Sequence, residues 1–203
     1  MNTQTKAQAV PETAAARGRI APLKFAHIVF RTAQKDVMVQ WYRTVFEAEV
    51  ALANPFLTFL TFDAEHHRIA IVGMADLTPQ DRRAAAMDHC AFTYATLGDL
   101  LATLKRLRAQ GITPYWCINH GPNVSFYYRD PDGNQVELTI DVFDSPAALD
   151  EWFNGSDFGI NPIGVKFDAD ELIRRFEAGE SEAALTVRPR IRPEAVFAQL
   201  PNN

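Results

Sequence analysis

Apolar positions along the chain follow two alternating periods. The stretch FAHIVF, from Phe25 to Phe30, has the length and composition of a strand, and Met38, Trp41, Tyr42, Val45 and Phe46 then recur at the spacing of one helix face. Three strand-length runs follow at Ala48 to Leu52, Phe56 to Phe62 and Arg68 to Val72, separated by polar or Pro-containing turns. From Asp88 the same order returns. HCAF echoes HIVF, and a helix carries Leu97, Leu100, Leu101, Leu104 and Leu107 on one side before stopping at Gly111. Runs at Pro114 to Ile118, Val124 to Tyr128 and Gln135 to Ile140 complete it, the last two joined by the turn Asp130-Pro131-Asp132-Gly133.

The order βαβββ therefore occurs twice, and the fold class expected is α+β: two paired βαβββ modules, at 23–74 and 88–144, within one domain at 23–144 that encloses a metal-binding cleft. Two such sheets, each covered by its helix, pack side by side and leave a cleft between their open faces. His27 and His89, 62 residues apart at matching places in the opening strands, are expected to point into it together. Residues 75–86 suit a short helical linker. A partly helical extension at 145–203 serves as cover or dimer contact, with Asp168 and Glu171 starting a helix that carries Leu172, Ile173 and Phe176 and ends at Gly179. Residues 1–22 are expected to be a mobile arm.

Composition narrows the partners. A net charge of -5 and a short basic cluster of Arg188, Arg190 and Arg192 do not make a nucleic-acid face. No run approaches the roughly 20 apolar residues that cross a bilayer, so no membrane contact is expected. The first 20 residues lack the apolar run of a signal peptide, and the only cysteines, Cys90 and Cys117, point to a reducing, cytoplasmic setting. A homo-oligomer is expected.

Five histidines, His27, His66, His67, His89 and His120, fall at strand starts or just before a strand. Two neutral imidazoles and one carboxylate on one side of a metal leave the opposite positions open, the arrangement by which non-haem iron(II) binds both substrate and dioxygen. Glu137, a carboxylate among apolar neighbours in QVELTI, is costly to bury without a compensating charge and makes the third ligand beside His27 and His89. Ala70 holds the equivalent place in the first module, so the ligand set is asymmetric. Taken singly, a strand histidine is more often a hydrogen-bonded core residue, and Glu137 a strand-edge charge. Phe25, Phe56, Phe59, Trp116 and Phe143 are candidates either for an aromatic pocket or for simple core.

The motif DPDGNQVEL, from Asp130 to Leu138, resembles the vicinal oxygen chelate superfamily, the glyoxalase/bleomycin resistance/dioxygenase group. HHRIAI at His66 to Ile71, and NVSFYY at Asn123 to Tyr128 with Tyr127 ten residues before Glu137, resemble its type I extradiol ring-cleavage dioxygenases. NPIGVKFDADEL in the extension is similar to small dioxygenase-like members. Two departures stand out: many such enzymes carry a further, metal-free pair of modules, and His120 lies closer to the VSFY run than is usual.

The resemblance implies a catechol-like aromatic substrate, O2 as co-substrate, and Fe(II) as cofactor, with Mn(II) able to occupy the same ligands. It implies His67 as acid/base, His120 as hydrogen-bond partner of a catecholate oxygen, and Tyr127 as donor to the oxygen that departs, giving a ring-opened semialdehyde or keto acid. The rivals are a metal-dependent glyoxalase, isomerase or epimerase, which use more carboxylate at the metal, and a drug-sequestering protein of the same fold, which lacks the metal ligands.

Overall fold

The two runs with helical spacing fold as the spacing requires. Met38, Tyr42 and Val45 lie on one face of α1 (Lys35–Phe46) and are fully withdrawn from water, with Trp41 and Phe46 packed at its margin. Helix α2 (Leu97–Arg108) begins at Thr96, whose hydroxyl accepts the Asp99 N–H at 3.0 Å, and buries Leu97, Leu100, Leu101, Leu104 and Leu107. The chain leaves it through Gly111, at φ +76. This computed structural model describes residues 20–201 apart from 79 and 82, together with residues 15 and 18. The arm expected at 1–22 lies almost wholly outside the described residues.

Each helix covers one face of its own sheet. Strands β1 (Ile28–Thr32), β2 (Glu49–Ala53), β3 (Leu57–Thr61) and β4 (Ile69–Gly73) form the first, in the order β1-β4-β3-β2. Strands β5 (His89–Thr93), β6 (Trp116–Asn119), β7 (Asn123–Arg129) and β8 (Gln135–Asp141) form the second, where β9 (Val165–Lys166) from the extension joins β6. The βαβββ order thus appears twice. The opening strand starts at Ile28 rather than Phe25, so His27 stands just ahead of β1 while His89 is the first residue of β5.

Register makes the repeat quantitative. Ile28 pairs with Ile69 and His89 with Gln135, both in parallel, so Ala70 and Glu137 hold equivalent places relative to the two histidines. The described residues of 75–86 form turns instead of the expected helix. Asp81 captures the Arg83 N–H with its carboxylate at 2.9 Å and the Ala84 N–H with its carbonyl at 3.0 Å, a local turn that competes with helix formation.

The modules are joined through the helices and one turn. Tyr42, buried on α1, donates its hydroxyl to Asp130 in the turn before β8 at 3.0 Å. Gln34, just past β1, donates to Asp132 at 2.6 Å, while Arg106 of α2 reaches the Thr44 and Val45 carbonyls near the end of α1. Phe46 and Phe62 pack on Phe92 of β5, with ring centroids 4.4 and 5.9 Å away. The end of β1 therefore lies by the start of β5, and the start of β1 by the end of β5.

The extension contains α3 (Pro146–Asn154), α4 (Ser156–Ile160), α5 (Ala169–Glu177) and α6 (Glu182–Leu185). Asp168 caps α5 by accepting from Asp170 and Glu171 N–H groups at 2.8 and 3.2 Å, and Gly179 follows at φ +87. Gly164, at φ +122, lets this segment lie on the second sheet: a Cβ there would stand 2.6 Å from the Asn119 carbonyl oxygen. Among the described residues no helix is long and apolar enough to cross a membrane.

Two buried tyrosines test these contacts in opposite directions. Tyr42→Phe removes a hydrogen bond to a carboxylate and should lower the unfolding free energy by about 1–3 kcal/mol. The Tyr128 hydroxyl is buried with no hydrogen-bond partner among the described residues. Tyr128→Phe should accordingly leave stability unchanged or raise it by up to about 1–3 kcal/mol. Urea midpoints at unchanged slope measure both; a destabilised Tyr128→Phe protein beside an unaffected Tyr42→Phe protein would reverse the assignment.

Candidate metal centre

Strand alternation sorts the second sheet into two faces. Val124, Phe126 and Tyr128 of β7 and Val136, Leu138 and Ile140 of β8 turn towards α2 and the core, so Asn123, Ser125, Tyr127, Glu137 and Thr139 share the open face. Tyr127 stands directly opposite Glu137, and Ser125 directly opposite Thr139. On that face Glu137 is only 4% exposed.

The Glu137 carboxylate is held from both sides. Oε1 accepts from Ser125 Oγ at 2.5 Å and Asn123 Nδ2 at 3.0 Å, while Oε2 lies 3.0 Å from His89 Nε2. The other ring nitrogen of His89, Nδ1, is 2.6 Å from Asp88 Oδ2. Hydrogen bonding to Glu137, opposed by burial and aided by Asp88, pushes the His89 pKa up to about 9. Burial raises the Glu137 carboxyl, but the bonds from His89 and Ser125 outweigh it and hold the group below the usual carboxylate range. Without a metal, His89 is thus an imidazolium donating from both nitrogens.

Donor chemistry at this pair fits a divalent cation. One imidazole nitrogen and one carboxylate oxygen converge, and the imidazole is backed by a second carboxylate, as metal-binding histidines regularly are. Two donors each about 2.1 Å from a cation, the distance typical of zinc, stand roughly 3.0 Å apart when they meet at a right angle. The spacing of His89 and Glu137 is of that size.

Beside them lie His120 and Tyr127. His120 Nδ1 bonds the Ile163 carbonyl of the extension, which fixes that nitrogen as the N–H donor and leaves Nε2 as an acceptor, 3.1 Å from the Tyr127 hydroxyl. Burial lowers the His120 pKa, so the ring is neutral; burial and then the Glu137 charge raise that of Tyr127, which stays a protonated donor. Trp116 packs on Tyr127 at 4.7 Å and edge-on to His120 at 5.7 Å. The cleft above them, about 730 Å³, is roofed by Pro162, Ile163, Leu200 and Pro201.

The first module holds the remaining candidates separately. His27, exposed, lies against His67 with ring centroids 4.4 Å apart, and Phe59 stacks on His67 at 4.0 Å. His67 is buried and His66 exposed, yet they do not diverge as strand neighbours would: their rings touch, with the two Nδ1 atoms 2.6 Å apart. Burial, then the proximity of His27 and His66, lowers the His67 pKa, leaving it neutral at neutral pH. His27 does not reach the His89–Glu137 pair: among the described residues no three His, Cys, Asp or Glu side chains converge to hold a metal. Within the chain His27 packs on His67, while His89 meets Glu137.

Sequence patterns missed Asp88, Asn123 and Ser125. Ser125 and Asn123 sit at even spacing from Tyr127, a visible signal; Asp88 offered only its adjacency to His89. Of the aromatic candidates, Trp116 lines the cleft and Phe59 stacks on His67, whereas Phe25 and Phe56 are exposed and Phe143 lies near Trp152.

Residues 24–138 match the family model described as Glyoxalase/Bleomycin resistance protein/Dioxygenase superfamily. The chain is 45% identical, over 77% of its length and 83% of the relative's, to biphenyl-2,3-diol 1,2-dioxygenase 2 of Rhodococcus globerulus. It is 41% identical to biphenyl-2,3-diol 1,2-dioxygenase 3 of the same organism, over 81% of this chain and 88% of that one. Among solved structures, the glyoxylase/bleomycin resistance protein/dioxygenase domain from Frankia sp. EAN1pec superposes with a TM-score of 0.51 at 15% identity, covering 60% of this chain and 99% of that one, a likeness of fold alone. The chain belongs to the glyoxalase/bleomycin resistance/dioxygenase superfamily and, within it, to the extradiol ring-cleavage dioxygenases, enzymes that open a catechol-type ring with O2.

Proposed function

We propose that this dioxygenase acts on a catechol bearing an aryl substituent, of the biphenyl-2,3-diol class, at a mononuclear Fe(II) held by His27, His89 and Glu137. The observation that carries the metal assignment is the buried Glu137 facing His89 at 3.0 Å, with Asp88 behind the imidazole. The substrate class rests on the two relatives and on the aromatic wall of Trp116 and Tyr127. When bound, Fe(II) supplies the electronic link between a chelated catechol and dioxygen, both of whose oxygen atoms enter the product.

The chain's own groups manage protons and water. His67 is neutral and can take a proton from a substrate hydroxyl and return it later in the cycle. His120, with Nδ1 committed to Ile163, presents a lone pair at Nε2: it accepts a hydrogen bond from a hydroxyl and donates to an oxygen only after gaining a proton. Tyr127, whose proton is firmly held, is the permanent donor of the set. The extension acts as a cover, with Pro162, Ile163, Leu200 and Pro201 lining one side of the cleft.

The glyoxalase-type rival would need a second carboxylate at the metal, and Ala70 stands at that position. A drug-sequestering protein would have no use for a buried carboxylate and imidazole pair.

Oxygen uptake with biphenyl-2,3-diol after anaerobic Fe(II) loading should proceed with a yellow ring-opened product and no added reductant or 2-oxoglutarate; a strict need for either would point to different chemistry. His27→Ala, His89→Ala and Glu137→Ala should each lose the metal, and Asp88→Ala should weaken its binding by about 10–100-fold. Unchanged metal content in all of the ligand variants sinks the assignment.

His67→Gln should keep the metal and lose on the order of 10² to 10⁴ in turnover, because an amide fills the ring's place but cannot exchange protons near neutrality. His66→Gln, on the exposed face, should matter far less. Full activity in His67→Gln, with iron measured in parallel, removes the assigned base.

A further inference from the structure

His120 follows the last residue of β6, and the extension grips the chain at that residue and at both of its neighbours. Asn119 Nδ2 donates to the Thr186 carbonyl at 2.8 Å, while its Oδ1 accepts the Gly121 N–H at 2.9 Å. The His120 carbonyl accepts from Arg188 Nη1 at 2.9 Å, and the His120 ring bonds the Ile163 carbonyl through Nδ1. Trp152 of α3 lies against Gly121, at φ +105, where any Cβ would collide with the indole.

The Ile163 carbonyl is fixed from behind. Asn161, only 4% exposed, accepts the Ile163 and Gly164 N–H groups at 3.1 and 2.8 Å and donates to the Gly164 carbonyl at 2.9 Å. Its own carbonyl accepts from Arg188 Nη1 at 2.8 Å, the same nitrogen that holds the His120 carbonyl, and Arg188 Nη2 donates to the Asp157 carbonyl at 2.9 Å. One guanidinium, lying over the Trp152 ring at 5.0 Å, thus ties His120 to two points of the extension with charge-assisted bonds from a rigid fork. Among the described residues that line the cleft, neither Asn161 nor Arg188 appears. Their bonds serve the ring that does. A neutral imidazole has two tautomers, and a carbonyl at Nδ1 selects the one with its proton there, which leaves the Nε2 lone pair towards Tyr127.

We propose that Asn161 and Arg188 are positioning residues for ring cleavage: they hold the Ile163 carbonyl at His120 Nδ1, so that Nε2 faces the cleft as an acceptor. This rests on the reading above that His120 bonds a hydroxyl of the bound diol. The extension is then part of the machinery as well as its cover, and it acts through one histidine.

Full-length chains loaded anaerobically with Fe(II) are assayed with biphenyl-2,3-diol, and iron content and urea midpoint are measured alongside. Arg188→Met keeps a side chain over Trp152 and removes every donor; it should hold iron and lose about 10–100-fold in kcat/KM, the scale of a small misplacement of a reacting group. In a His120→Ala background the same change should cost less than about 2-fold, because residues acting as a unit are not additive. Arg190→Ala should keep wild-type activity, since Arg190 pairs with the Asp157 carboxylate at 3.3 Å. With isotope-labelled histidine in the metal-free chain, the His120 ring signals should be those of a neutral ring protonated at Nδ1, moving in Arg188→Met towards the average of the two tautomers. An Arg188→Met chain that does not fold is replaced by Arg188→Lys, which keeps the charge and loses the fork, with the same readings required. Unchanged ring signals in the variant overturn the proposal even where activity falls, and so does an equal fold-loss with and without His120. Wild-type activity in Arg188→Met beside an impaired His120→Ala overturns the grip alone, whereas a fully active His120→Ala strikes His120 from the chemistry and the grip with it.

Discussion

The hydrogen bond from Tyr42 to Asp130 is the contact on which the placement of every candidate residue depends. It is buried, it joins the helix of the first module to the turn that launches β8, and its acceptor is itself fastened by the Asn134 side chain and by the Asp132 and Asn134 N–H groups. A carboxylate so far from water is tolerated because each of its oxygens has partners. With that bond, the Gln34 and Arg106 hydrogen bonds and the packing of Phe46 on Phe92, the opening strands of the two modules run head to tail. The repeated histidines then lie far apart in one chain, however similar their local surroundings.

Glu137 poses the same electrostatic problem with a different answer. Its Oε1 is satisfied by Ser125 and Asn123, but Oε2 depends on the His89 imidazolium, a group whose own charge is maintained by Asp88. Two carboxylates around one imidazolium leave a net negative charge in a partly covered site. A divalent cation in place of the Nε2 proton would bring that charge to zero and satisfy the same lone pairs, so the arrangement is built of groups that would gain from being loaded.

Most of the fold was legible because period and punctuation agree at each element. Leu97, Leu100, Leu101, Leu104 and Leu107 mark one helix face and Thr96 and Gly111 bound it, while the alternation in NVSFYY separates Tyr127 from Tyr128. Residues 75–86 misled because Ala-rich composition speaks for a helix, whereas one Asp side chain is enough to favour a turn. The sequence marked His89, Glu137, His120 and Tyr127, which the fold brings together, but gave no sign that His27 and His67 would gather elsewhere. Matching positions in two repeats establish equivalence, but nothing in either repeat encodes how the modules pack; that is set by Tyr42 and Asp130, 88 positions apart in the chain, neither of which looks unusual on its own.

The repeat is asymmetric at the register-equivalent positions Ala70 and Glu137, where the proposed ligand set departs from symmetry. Had residue 70 been a carboxylate like its counterpart Glu137, a divalent metal between two such acids and two neutral imidazoles would carry no net charge and would have one fewer coordination position free. With Ala70 in that place, a divalent ion held by Glu137 and two neutral imidazoles would keep one unit of positive charge before the exposed Asp88 carboxylate is counted. A cation of that charge would favour the deprotonated form of an incoming catechol hydroxyl. On the proposed reading a neutral base such as His67 would have a proton to receive, because the cation's residual charge would make that proton acidic.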